Sequence, residues 1–112
     1  MIIGAHALIY TSAAEEVRTF LGEVLGFKSV DAGGGWPIFA LPPAEVAVHP
    51  TDGASLHELY LMCDDIEATI AELTGKGIEC SPVSDEGWGL RTVLTLPGGT
   101  ELGMYEPRHP RP

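Results

Sequence analysis

The chain repeats its own pattern. The run His6-Ala7-Leu8-Ile9-Tyr10-Thr11-Ser12 can be laid on Glu58-Leu59-Tyr60-Leu61-Met62-Cys63-Asp64, an offset of 52. Each run is short, apolar and rich in branched or aromatic residues, and each ends on a residue type that caps helices. Ser12 with Glu15 and Asp64 with Glu67 have capping-box spacing, in which side-chain oxygens satisfy orphan N–H groups of a first helical turn. An apolar stripe follows in both copies: Val17, Phe20, Leu21 and Val24, then Ile66, Ile70 and Leu73. Gly26 and Gly77 stand where a left-handed residue would end each helix.

The later parts of the two copies also correspond. Trp36 and Trp88 are again 52 apart, and each follows a Gly-rich or turn-forming stretch. The Leu-Pro pairs at 41–42 and 96–97 each lead through a turn into a last strand, Glu45–Pro50 and Glu101–Pro107. Each copy therefore reads strand, helix and three strands. The chain divides into a first module at 1–50, a linker at 51–55, a second module at 56–107 and a flexible Pro-rich tail at 108–112, all within one domain.

Composition narrows the partners. A net charge of -10 over 112 residues argues against nucleic acid and anionic membrane, both of which need a basic face. No apolar run reaches the ~20 residues of a membrane span, and the N-terminus lacks the basic start of a signal peptide. Cys63 and Cys80 form no CxxC pair, which suits reduced thiols in a cytoplasmic setting. There is no Walker loop, dinucleotide fingerprint or serine-triad signature, and the glycines at 33–35 precede a strand rather than a helix. They are expected to form a flexible hairpin or loop at the mouth of a cavity.

The stretches HALIYTS…FLGEVLGF, LMCDDIEATIAELTGKGIE and LPGGTELGMYEP together resemble the vicinal oxygen chelate superfamily, over nearly the whole chain from His6 to Pro107. That group includes glyoxalases, extradiol dioxygenases, fosfomycin-inactivating enzymes and bleomycin-sequestering proteins. The resemblance implies an α+β fold in which two tandem βαβββ modules form a curled mixed sheet, a cup, with helices outside. It also implies up to four metal ligands, from the first and last strand of each module. A homodimer is expected, because small soluble chains favour closed twofold assemblies and related proteins pair modules within or across chains.

Carried over residue by residue, the first ligand falls on His6 and the third on Glu58. Strand alternation favours Glu58 over its neighbour His57: Leu59, Leu61 and Cys63 would face the helices, while Glu58, Tyr60 and Met62 would face the cup. The second and fourth positions fall on Ala47 and Gly103, which carry no ligating atom. His49 lies two positions from Ala47, a step of ~6.6–6.8 Å against metal bonds of ~2 Å. A strand shift would complete a His6, Glu58, His49 set, which would take a divalent ion such as Fe, Mn, Ni or Zn. By parity Glu106 faces away from the cup.

Beside these, Tyr10, Trp36, Tyr60, Met62, Trp88 and Tyr105 are candidates for the cavity wall, and Arg91, mid-strand, faces either way. His57 and His109 fit the surface. Two functions follow from the resemblance. One is a protein that binds a small organic molecule without the full metal site, its Ala47 and Gly103 leaving room for the guest. The alternative is a divalent-metal lyase or dioxygenase.

Overall fold

The computed structural model describes residues 6–45, 47–54 and 56–112. The second copy builds the sheet. Strand β3 (Tyr60–Met62) runs parallel to β7 (Glu101–Pro107); β7 pairs antiparallel with β6 (Gly89–Thr95), and β6 pairs with both β4 (Glu79–Cys80) and β5 (Ser84–Asp85). Helix α2 (Ile66–Gly75) crosses between β3 and β4. The result is a curled sheet that does not close.

The first copy supplies α1 (Ala14–Thr19), which runs on into a π-helical turn at Phe20–Val24, and a separate ribbon of β1 (Ser29–Asp31) against β2 (Pro37–Phe39). Residues 6–13 and 47–50, expected to hold its first and last strands, lie in no strand. Val46 lies outside the described residues, and Val48 is 92% exposed. The physical reason is pairing. A strand needs a ladder partner for its N–H and C=O groups, and among the described residues no strand runs beside these segments.

Register separates the two faces of the sheet. Leu61, Met104 and Thr92 lie abreast, as do Leu102 and Leu94, and these form the helix-facing side. Leu94, Leu96, Leu102 and Met104 join Val17, Phe20, Ile66 and Leu73 in one buried core. Each such side chain stabilises the fold by about 1.5–3 kcal/mol on burial. Leu59, Leu61 and Cys63 pack against that core, as alternation required. Thr92, buried among them, donates to the Ser81 carbonyl at 2.6 Å.

The helix ends depart from the expected caps. Ala13, not Ser12, is the N-cap of α1 and makes no side-chain cap bond; Thr11 Oγ1 accepts from Ala13 N instead. In α2 the cap is Asp65 rather than Asp64, accepting from Ala68 N at 3.1 Å. A second acceptor comes from the sheet: Glu106 Oε1 takes the Ile66 N–H at 3.0 Å. Gly26 and Gly77 do end their helices with positive φ, 74° and 84°. Among the described residues no helix is long and apolar enough to cross a membrane, and both cysteines are free thiols.

Candidate ligand-binding site

The other face of the sheet carries Tyr60 beside Gly103 and Val93, and Met62 beside Tyr105 and Arg91. Two glycines make this face possible. A Cβ on Gly103 would stand 2.5 Å from Cδ1 of Tyr60 and closer still to Cε1. A Cβ on Gly89 would stand 2.8 Å from Cδ2 of Tyr105. Each tyrosine ring thus occupies space beside the neighbouring strand that a side chain would take, and at Gly89 the Glu106 carbonyl oxygen, 2.7 Å from such a Cβ, shares in excluding it.

Trp88, immediately before β6, joins the two rings. The centroids of Tyr60 and Tyr105 are 5.9 Å apart, those of Trp88 and Tyr105 5.0 Å, and those of Tyr60 and Trp88 6.4 Å, all edge-to-face. Such contacts fix ring orientation through the quadrupole. Arg91 faces the same way, its Cζ 5.8 Å from the Tyr60 ring centroid. Its direction, open in the sequence, follows from its place opposite Tyr105.

Beside this cluster lies a cavity of about 330 Å³, bordered by Tyr10, His57, Glu58, Tyr60, Arg91 and Gly103 among others. That volume lies in the range of small-molecule sites. His57 and Glu58 both border it. Strand β3 begins only at Tyr60, so the alternation that favoured Glu58 does not extend back to this pair.

The remaining candidates lie elsewhere. His6 and His49 are exposed, in no strand, and border neither this cavity nor Glu58's wall of it. Trp36 is 67% exposed beneath the Arg18 guanidinium, 5.0 Å from its ring centroid. The Gly33–Gly35 stretch is the turn of the β1–β2 ribbon and does not border the cavity.

His109, expected at the surface, is half-buried against Tyr105. Its Nδ1 lies 2.8 Å from the Pro110 carbonyl, so the proton of the neutral ring belongs there and Nε2 accepts from Tyr105 Oη at 3.0 Å. Partial burial, aided by the charge of Glu45, pushes the Tyr105 phenol's pKa up and keeps it a donor. Arg108 pairs with Asp85 at 3.1 Å and donates its N–H to the Trp88 carbonyl; Arg111 pairs with Glu45 at 2.8 Å. No packing pattern in PRHPRP signals these contacts, which come from single polar atoms rather than an apolar stripe.

The donor set does not fit the family's metal. Gly103 and Ala47 offer no ligand, and the Tyr60 ring fills the space a side chain at 103 would need. Among the described residues no three His, Cys, Asp or Glu side chains converge as a metal cage.

No family profile matches the sequence, and no curated protein matches it. Solved structures do match. TnmS3, an antibiotic binding protein from Streptomyces sp. CB03234, is 27% identical, with 96% of this chain and 98% of that one covered at a TM-score of 0.67. A member of the glyoxalase/bleomycin resistance protein/dioxygenase superfamily from Sphaerobacter thermophilus DSM 20745 is 24% identical, with 94% and 98% covered at 0.65. A lactoylglutathione lyase from Agrobacterium tumefaciens has the same fold at 11% identity, with 93% and 92% covered and a TM-score of 0.66.

Proposed function

We propose that this chain, which has the vicinal oxygen chelate fold of the glyoxalase/bleomycin resistance protein/dioxygenase superfamily, binds a small aromatic organic molecule without the family metal, in the cavity that Tyr60 borders beside Trp88 and Tyr105. One observation carries this reading: Gly103, at the fourth ligand position, is the seat of the Tyr60 ring. A metal ligand and that ring exclude one another. Flat aromatic groups bury large apolar area on such a wall, and the likeness to an antibiotic binding protein supports a binding role.

A second copy of the chain would complete the cup. Leu8, Tyr10, Val48 and Leu56 are exposed, and residues 6–13 and 47–50 lack strand partners. The radius of gyration, 15.0 Å, exceeds the ≈ 13 Å of a compact domain of about 100 residues. Strand exchange with another copy would bury these residues and satisfy their backbone groups. The two free thiols suit a reducing, cytoplasmic compartment.

Elemental analysis of protein purified without chelator, paired with calorimetric titration of 2-naphthamide into wild type and Tyr60→Ala, tests the binding reading. Less than a tenth of an equivalent of metal, with binding that Tyr60→Ala weakens, is the expected result. About one equivalent of Fe, Mn, Ni or Zn that survives dialysis and is lost in Glu58→Ala would overturn it in favour of a metal-dependent lyase or dioxygenase.

A further inference from the structure

The chain has six Lys and Arg residues against sixteen Asp and Glu. Among the described residues Arg18, Lys76, Arg108 and Arg111 each hold a carboxylate partner. Lys28 makes no such pair, and neither does Arg91. Of the two, Arg91 borders the cavity and lies over the ring of Tyr60. In a chain this acidic, a guanidinium left without a carboxylate contact is conspicuous. Its side chain interacts with Tyr60, and the charges of Glu86 and Glu58 favour its charged form without forming an ion pair with it.

We infer that Arg91 selects the charge of the ligand, so that the cavity prefers a flat aromatic molecule bearing a carboxylate or similar planar anion. This rests on the binding role proposed above and adds the ligand's chemical class. The geometry joins the two requirements. Tyr60 and its neighbours offer faces and edges to an aromatic body, and the guanidinium over Tyr60 offers parallel N–H groups to an anion at the edge of that body. The cation–π contact with Tyr60 also restrains the guanidinium, which lowers the cost of ordering it on binding.

Glu58 and Glu101 border the same cavity and oppose an anion. Neither is within ion-pair distance of Arg91. Both carboxylates are exposed to solvent, whose high dielectric weakens their repulsion of an anion, whereas a two-point guanidinium contact is charge-assisted and directional. The contact therefore sets the preference.

Three probes of equal ring size separate the possibilities: 2-naphthoate, 2-naphthamide and 2-naphthylmethylammonium, titrated calorimetrically into the full chain. The expected result is naphthoate bound about tenfold more tightly than naphthamide, equivalent to about 1.4 kcal/mol, with the cation weakest. In Arg91→Gln the ratio of naphthoate to naphthamide affinity should fall towards one. In Arg91→Lys part of the ratio should survive, since charge remains while the fork is lost. A thermal melt shows that each variant is folded, and a ratio from one folded protein is independent of its stability.

A wild-type ratio near one, or a ratio that Arg91→Gln leaves unchanged, would overturn the inference and leave the aromatic site standing. Preference for the ammonium would overturn it in favour of Glu58 as the charge-selecting group. Binding of none of the three would overturn both this inference and the binding role beneath it.

Discussion

Gly103 on β7 and Tyr60 on β3 occupy one space: the ring of the second lies where the side chain of the first would be. Overpacking at such a point costs about 1–3 kcal/mol. Gly103→Ala should therefore destabilise the fold by that amount and displace the ring. In Tyr60→Ala the same substitution should cost much less. A double-mutant cycle by urea denaturation measures the coupling, and additive losses would show that ring and backbone are not in conflict.

Glu106 ties the last strand to the start of α2, forty residues away in sequence, by accepting the Ile66 N–H. That N–H belongs to the first turn, where no intrahelical acceptor exists. Glu106→Ala should cost about 0.5–2 kcal/mol, the usual value of a lost cap. Glu106→Gln keeps a carbonyl acceptor and should cost less. Equal midpoints for wild type and Glu106→Ala in urea would refute the capping role.

The Gly87 N–H donates to Asp85, and Arg108 lies beside it; together they hold its carboxyl below the ordinary carboxylate value. A lowered pKa in the folded state means that the stabilisation is present above the unfolded value and is lost as pH falls through the folded one. Melting temperatures of wild type should therefore fall more between pH 5 and pH 3 than those of Asp85→Asn. Parallel curves would contradict this, whatever their absolute height.

Burial pushes both thiols up, that of Cys63 with added repulsion from Glu106, Asp64 and Asp65. Only thiolate reacts with disulfide reagents. At pH 8 both cysteines should react with Ellman's reagent more slowly than free glutathione, and denaturant should remove the difference. Rapid reaction of the native protein would show an opening motion at β3 or β4.

Much of the second module was legible in the sequence because its cause is local. Alternation over 59–63 and 102–104 assigns residues to faces, since successive strand side chains must point oppositely. Gly77 ends α2 because a positive φ is inexpensive only without a Cβ. The caps were legible only to within a residue: Asp64 and Asp65 are chemically alike, and which one caps depends on where β3 releases the chain.

The candidate site was legible in part, and the division follows from range. Tyr60, Trp88 and Tyr105 are wall candidates in the sequence; only Tyr60 of the three borders the cavity, and the contact of the three rings depends on how β3, β6 and β7 lie side by side. The sequence leaves Arg91 free to face either way, and its place opposite Tyr105 gives the direction. Glu106, which faces away from the cup by parity, and His109, expected at the surface, have partners, Ile66 and Tyr105, that are identified by approach in space rather than by spacing.

By itself, then, the amino-acid order determined the repeat, the helices, the faces of the second-module strands and the want of ligands at Ala47 and Gly103. These depend on interactions within a few residues, or on the bare presence of a side chain. The tertiary structure decided that Gly103 seats Tyr60, that Gly89 seats Tyr105, and that Arg91 lies over an aromatic ring beside a cavity. It also decided that residues 6–13 and 47–50 form no strands here, because a strand exists only beside another, and adjacency is a property of the folded chain.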